Sequence, residues 1–332
     1  MTVLAQQVGN ERRKCLIRWG SLLVFTAVCL TQCTPPVTTR YLTEDEMGIL
    51  PVAMDQSDVK KRPSGPCYEE DSYVYDTTYA QHYPMQYLRV NIHWMNSLDS
   101  ANNVPESEAV AFAEKIIFAA NYALENNRQM LLPNGNNTPV HPVNFRYVLT
   151  GRPNDPTDKG VYYHYDDSLF YYVHINRKHA NLFSRAVFDK YGVQMDTVLN
   201  IFFMPHHPDS VARAGYAAER VGVALRNAVK VTGPWLPDFT NDKDSHWHYR
   251  GVFNHEIGHI LGLIHAWTRG DGCDDTPIHA NRCFSPGQAP GCDTMTSNNV
   301  MDYSYQQVAW TPCQIAKVHK RFADPQGIQH RF

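Results

Sequence analysis

The sequence predicts an α/β (α+β) fold: a twisted mixed sheet with helices on it, followed by a loop-rich C-terminal part. Three observations predict it. Tyr87–Met95 alternates apolar and polar side chains with a period of two, as a half-buried strand does. Glu106–Asn127 carries its apolar residues at helical spacing. The run Val198–Met204 is apolar on both faces, which suits a central strand covered on each side.

Taken in order, the first strand sets Leu88, Val90, Ile92 and Trp94 against Arg89, Asn91 and His93. Asn103 and Glu106 then bracket Pro105, in the manner of a capping box with proline in the first turn. Val110, Ala113, Ile117, Ala120 and Leu124 form one face of the helix that follows. Strand-like runs come next at Phe145–Leu149, Phe170–Ile175, Val198–Met204 and Val221–Val231, with a helix-like stretch Asn181–Tyr191 between two of them. The expected order is β-α-β-β-α-β-β, a sheet with helices packed on it. No internal repeat of the kind that builds a solenoid is visible in the sequence.

Composition narrows the function. The 332 residues hold 30 Lys+Arg against 33 Asp+Glu, so no basic excess points to nucleic acid as a partner. With 43% hydrophobic and 19% charged residues the chain can bury a core, which excludes a disordered protein.

The N-terminus reads as an export signal. Arg12, Arg13, Lys14 and Arg18 precede an apolar run from Trp19 to Leu30. As a helix that run reaches only ~18 Å, short of the ~30 Å hydrocarbon core of a bilayer. A basic start and a short apolar stretch are the secretory pattern. The run ends in Leu30-Thr31-Gln32-Cys33, which resembles a bacterial lipobox. That resemblance implies a lipid on Cys33 as the mature N-terminus, with Gln32 a departure from the small residue usual there. An uncleaved signal anchor is the alternative. Both place the remainder outside the cytoplasm, in or beyond a bacterial cell envelope. Thr34 to about Asp71, rich in Pro, Thr, Ser and charge, reads as a tether or short pro-segment.

The chemistry is concentrated in Asn254–His265, which spells H-E-x-x-H-x-x-G-x-x-H. On a helix His255 and His259 stand one turn apart on the same face, where two imidazoles can hold one Zn²⁺. A helix continued further would carry His265 away from them. Gly262 can take a positive φ, stop the helix and return His265 to the metal. Three neutral ligands leave a fourth position open, as in catalytic zinc sites. Glu256 is placed to take a proton from a metal-activated water. His206, His207, His246 and His248 read instead as solvated loop histidines, and Arg269-Gly270-Asp271 as a chance tripeptide without function.

The extended motif resembles the metzincin clan of zinc endopeptidases. Asn298-Asn299-Val300-Met301-Asp302-Tyr303-Ser304 looks like that clan's Met-turn, and Cys273-Asp274-Asp275-Thr276-Pro277 narrows the resemblance to the pappalysin family. The resemblance implies that Met301 forms a hydrophobic floor beneath the zinc. It also implies that Tyr303 is a switchable ligand or a donor to the oxyanion, a packed core tyrosine being the alternative. A calcium site would use oxygens of Asp274, Asp275 and Thr276. Four cysteines in the tail allow three pairings, of which the resemblance favours Cys273–Cys292 and Cys283–Cys313.

The chain is therefore expected to comprise a signal peptide (1–32), a lipidated tether or pro-segment (33–75) and a protease unit (76–332). That unit would have an upper part at 76–262 and a lower part at 263–332. Its expected partners are a protein or peptide substrate and, through the lipid, a membrane. A lipid-anchored binding protein that keeps the fold without catalysis is the competing reading, but such a protein could dispense with Glu256. Cys67 is the thiol left over. It is expected to stay off the zinc in the resting enzyme, because a cut at Lys60-Lys61-Arg62 would leave it attached.

Overall fold

β1 (Gln86–Asn96) is the strand on which the sheet is built. Its eleven residues are long enough to pair in parallel with β2 (Phe145–Leu149) through the first half and β3 (Val161–Tyr165) through the second. On its other side lies β4 (Leu199–Met204), also parallel, then β6 (Ala228–Thr232), then the antiparallel edge β5 (Gly222–Ala224). The order is β2-β1-β4-β6-β5. The helices are α1 (Glu106–Glu125), α2 (Ala186–Tyr191), the short α3 (Pro208–Val211), α4 (Arg250–Ile260) and α5 (Pro312–Ala323). A 3₁₀ turn, Ser245–Tyr249, leads into α4.

This is a computed structural model. It describes residues 83–99, 104–132, 135–173, 178–211, 221–232, 244–266, 271–276, 297–303 and 306–323. The chain divides into units 1–34 and 35–332, and every described residue belongs to the second. The expected signal, Cys33, the tether and Cys67 lie outside the described residues. Among those residues no helix is long and apolar enough to cross a membrane.

The period-two pattern of β1 sorts the core into two layers. Leu88, Val90, Ile92 and Trp94 join Ile201, Phe203, Val229 and Val231 beneath α1 and α4, against Ala113, Ile116, Ala120, Val252, Phe253 and Ile257. Each such large side chain contributes about 1.5–3 kcal/mol by leaving water. The opposite face buries Met95, Phe202, Met204 and Ala228 against Leu182, Val187 and Phe188. Two polar features share that face. His93 contacts His164 at 2.9 Å and Asn200 at 2.9 Å. Lys230, 1% exposed, donates to the carbonyls of Asn181, Leu182 and Ser184. Burial, and then the nearby Arg185 charge, lowers its pKa to about 8.

Four expectations need correction. The predicted strand Phe170–Ile175 is not formed over its described part. Phe170 N–H turns back to the Asp166 carbonyl, and Tyr172 makes only a single bridge to His206. The strand at that point in the order is β3, whose five residues lack a clean alternation. Val221–Val231 is a hairpin, because Arg226 takes φ 66° and Leu225 N–H bonds the Ala228 carbonyl. The helix expected at Asn181–Tyr191 begins only at Ala186, since the Asn181 side chain is held by Val173 N–H and the Tyr171 carbonyl. Pro105 is itself the N-cap of α1, with no side-chain cap. Glu106 and Glu108 complement the helix dipole in its place.

Candidate active site

α4 carries the chemistry, and two neighbours fix where it lies. Asn254 accepts from the Tyr147 hydroxyl of β2 at 2.9 Å and donates to the Ala120 carbonyl of α1 at 3.2 Å. The helix ends where the sequence requires. Gly262 has φ 90°, and a Cβ there would meet nothing within 4 Å, so conformation and not space demands glycine. Leu263 N–H bonds back to the Gly258 carbonyl at 3.0 Å as the chain reverses.

That reversal brings the three histidines together. His259 Nε2 lies 3.1 Å from His255 Nε2 and 3.1 Å from His265 Nε2. A metal 2.0–2.1 Å from each nitrogen in a tetrahedral site needs an edge of about 3.3 Å, so the triad fits Zn²⁺. The far sides of the rings agree. His255 Nδ1 faces the Val300 carbonyl at 2.8 Å and His259 Nδ1 faces the Leu263 carbonyl at 3.0 Å. A carbonyl can only accept, so those protons sit on Nδ1 and leave the Nε2 lone pairs toward the metal. Burial pushes the pKa of His255 well below the usual range, with His259 and His265 adding to it. Burial alone brings His259 down to about 4. Neutral imidazole is the ligating form.

Glu256 is 6% exposed and its carboxyl packs against β5. A Cβ on Gly222 would come within 2.4 Å of Glu256 Cγ and 2.8 Å of Oε1, so glycine makes room for the side chain. Burial raises its pKa to about 8, and a hydrogen bond from Ala224 N–H opposes the rise.

Met301 packs against Gly258 of α4. It is fully buried, and a Cβ on Gly258 would be 2.6 Å from its Sδ. The Tyr303 ring is buried with its centroid 4.7 Å from that of His265 and 5.7 Å from that of His255. The turn itself is braced by a reciprocal pair of bonds between Asn299 and Gln314, at 3.0 and 2.9 Å.

Sequence reasoning missed Gln307. It is 1% exposed, its amide donates to the Asp302 carbonyl at 2.6 Å, and Nε2 lies 2.9 Å from His255 Nδ1. A lone glutamine in Tyr305-Gln306-Gln307-Val308 carries no motif. Gly222 and Gly258 were missed for the same reason, since a glycine's neighbours appear only in three dimensions.

The disulfide differs from both pairings that the resemblance favours. Cys273 bonds Cys313, with Cα atoms 5.6 Å apart, so neither Cys273–Cys292 nor Cys283–Cys313 is formed. The reason is local. Asp275 accepts from Cys313 N–H at 2.9 Å, which seats the start of α5 on the loop carrying Cys273. Cys283 and Cys292 lie outside the described residues.

The same loop gives the expected calcium site no support. Asp275 is turned to Cys313, Thr276 donates to Asp271 and to the Cys273 carbonyl, and Asp274 is exposed. The solvated reading of two histidines is also corrected. His246 packs edge-on to Phe112, and His206 lies beside Tyr172, both buried.

Comparison with known proteins agrees with the geometry. The Peptidase_M43 family model, described as pregnancy-associated plasma protein-A, matches residues 164–323, which include the three histidines, Glu256, Met301 and Tyr303. A search of curated proteins gave no match. Among solved structures, mirolysin in complex with a small compound is similar at 15% identity and a TM-score of 0.48, over 74% of this chain and 94% of that one. Mature mirolysin of Tannerella forsythia, in complex with a cleaved peptide, is similar at 17% identity and a TM-score of 0.47, with the same coverage. The matched segment holds the whole candidate site, and in it the chain resembles metalloendopeptidases of the metzincin clan, most of all the pappalysin family.

Proposed function

We propose that this chain is an exported, zinc-dependent endopeptidase that hydrolyses peptide bonds of proteins, with Glu256 as the general base. One observation carries the proposal. Three imidazole nitrogens converge, His259 Nε2 lying 3.1 Å from each of the other two, and the buried carboxyl belongs to the residue next to the first of them.

Zinc, when bound by His255, His259 and His265, supplies a Lewis acid for the scissile carbonyl and lowers the pKa of a water in its open position. Glu256 accepts the proton of the attacking water and passes it to the leaving amine. Its burial favours the first transfer, because a carboxyl held in apolar surroundings takes up a proton readily. The Ala224 N–H keeps the carboxyl oriented between those transfers. Tyr303, seated against the rings of His265 and His255, stabilises the oxyanion. Met301 keeps the underside of the triad dry and the helix at fixed height. Export follows from the basic-then-apolar N-terminus, and Cys33 carries the lipid that anchors the unit to a membrane.

The test is hydrolysis of unfolded protein substrates by the purified chain, before and after chelation and after zinc is restored. Activity abolished by the chelator and regained with zinc is expected. Hydrolysis indifferent to chelation, or absent from zinc-loaded chain, overturns the proposal. Mass spectrometry of the mature N-terminus tests the anchor. A diacylated Cys33 is expected, and an intact Met1 or a different unmodified first residue refutes it.

A further inference from the structure

We infer that β3 is the edge through which two copies of this chain pair, antiparallel, about a two-fold axis at Tyr163. The inference concerns the side of the sheet remote from β5 and does not rest on the catalytic reading.

The sheet treats its outer strands differently. β5, the antiparallel edge, packs against Glu256. β2 is closed by a side chain: Asn121 of α1 accepts from Tyr147 N–H at 2.8 Å and donates to the Tyr147 carbonyl at 3.0 Å. β3 has no such cover, and among the described residues it pairs only with β1. At its ends Ile92 N–H bonds the Gly160 carbonyl and Asp166 N–H bonds the Asn96 carbonyl. In a parallel ladder alternate residues face the partner strand, so Tyr162 and His164 are turned to β1. The N–H and C=O groups of Val161, Tyr163 and Tyr165 point the other way, and among the described residues nothing bonds them.

Natural edges are usually guarded by a charged side chain, a proline or a bulge. Val161-Tyr162-Tyr163-His164-Tyr165 contains no Lys, Arg, Asp, Glu or Pro, and its register with β1 runs without interruption. The edge is also held in place, because the Tyr163 hydroxyl donates to the Val104 carbonyl ahead of α1. Tyr165 is 45% exposed at its end.

What fits such an edge is another extended strand, which takes up its free backbone groups. The sequence around β3 says which strand. Set antiparallel to itself with Tyr163 opposite Tyr163, it puts Val161 opposite Tyr165. Every outward N–H then meets an outward carbonyl of the other copy. The same register brings Lys159 of each copy toward Asp167 of the other. Both residues are exposed, and neither forms an ion pair among the described residues. Asp167 uses only Oδ1, which accepts from Leu98 N–H at 2.8 Å. A parallel arrangement would set lysine against lysine and aspartate against aspartate, so charge selects the antiparallel one. Gly160, at φ 70°, ends the ladder before Lys159, so this contact is made by long side chains and not by backbone. A ladder this short makes a reversible dimer, not a permanent one. It leaves β5 of each copy free.

Sedimentation velocity on the full chain at low salt, at concentrations up to about 100 μM, decides it. A monomer–dimer equilibrium is expected in the parent. Lys159→Glu and Asp167→Lys each set like charges together across the axis and should weaken pairing about tenfold. An equimolar mixture of the two variants should recover the parent's affinity, because each mixed pair holds opposite charges at both ends. Tyr165→Pro removes one outward N–H without touching a bond to β1, and should weaken pairing too. Where that variant melts earlier than the parent, the two charge variants, which lie outside the strand, decide alone. A chain that stays monomeric throughout overturns the inference. So does a dimer that both charge variants leave unchanged, or a mixture that pairs no more tightly than either variant by itself.

Discussion

The side-chain amide of Gln307 joins the Met-turn to the first histidine: Nε2 lies 2.9 Å from His255 Nδ1 and donates to the Asp302 carbonyl at 2.6 Å. Because that amide nitrogen is a donor, the Val300 carbonyl at 2.8 Å is left as acceptor for the His255 proton. The Val300 carbonyl therefore sets the ring with Nε2 toward the other histidines, while the Gln307 amide packs against the ring edge and is bonded to Asp302. Groups packed around a ligating histidine and its hydrogen-bonded carbonyl typically change metal affinity about 10–100-fold when lost. Gln307→Leu should accordingly bind zinc about 10–100-fold more weakly in chelator competition, while keeping a cooperative unfolding transition. Parent-like zinc affinity would remove Gln307 from the site.

Glu256→Gln preserves shape beside Gly222 and removes the base. Losing a positioned proton-transfer group costs about 10²–10⁴-fold in rate. The variant should hold a full complement of zinc and lose kcat by that factor. Metal analysis and single-turnover kinetics on one sample check it. Loss of zinc together with activity would show that Glu256 acts through the metal site's structure instead.

Gly222→Ala attacks the same carboxylate from the sheet. The added Cβ would stand 2.4 Å from Glu256 Cγ, and neither the edge strand nor the buried side chain can yield fully. Overpacking of this kind costs about 1–3 kcal/mol. A displaced base costs more in rate than the strain costs in stability, so kcat should fall at least tenfold while the chain still folds. A parent-like kcat would mean that Glu256 has another position from which to work.

Much of this was legible in the sequence, for identifiable reasons. His255, His259 and Gly262 follow from helix periodicity and one glycine's freedom, both local rules. β1 and β4 were legible because each is buried in a pattern that repeats along the strand. What was not legible depends on distant partners. β3 and the segment at 170–173 have the same aromatic character, and only β1 decides which of them pairs. The hairpin at Arg226 needs a positive φ at a residue that gives no sign of it. The disulfide is set by Asp275 reaching Cys313 across 38 residues.

Asp166 gives the acid limb of the stability curve. Burial pushes its pKa up, but hydrogen bonds from Lys190, Tyr191 and Ser168 outweigh that and hold the carboxyl well below its ordinary range. Lys190 Nζ stands 2.7 Å away and the Tyr191 hydroxyl 2.9 Å away. A carboxyl lowered on folding adds stability above its unfolded pKa of about 4, and that stability is lost as pH falls toward the lower folded value. Asp166→Asn should therefore be less stable than the parent at pH 7 by about 1–3 kcal/mol, the usual cost of losing bonds to a charged group. The gap should narrow as pH is lowered below about 4. Urea midpoints across that range measure it, and a gap constant with pH would deny Asp166 this role.

The Cys273–Cys313 bond makes the last prediction, because it closes 40 residues of chain around the Met-turn. Loop-closure entropy for that length amounts to about 4 kcal/mol in the chain-entropy model, with engineered cases often returning less. Helix α5, which the bond pins, also supplies Gln314 to the Met-turn through Asn299. Removing the bond should loosen the turn before it unfolds the sheet, because the bond acts on the start of α5 and, through Gln314, on Asn299 of the turn. Cys313→Ser is expected to lower the melting temperature and to weaken zinc retention together. Peptide mapping without reduction should recover one species linking Cys273 to Cys313. A map joining Cys273 to Cys292 would restore the family's pairing, and a variant that kept the parent's zinc retention would separate the bond from the metal centre.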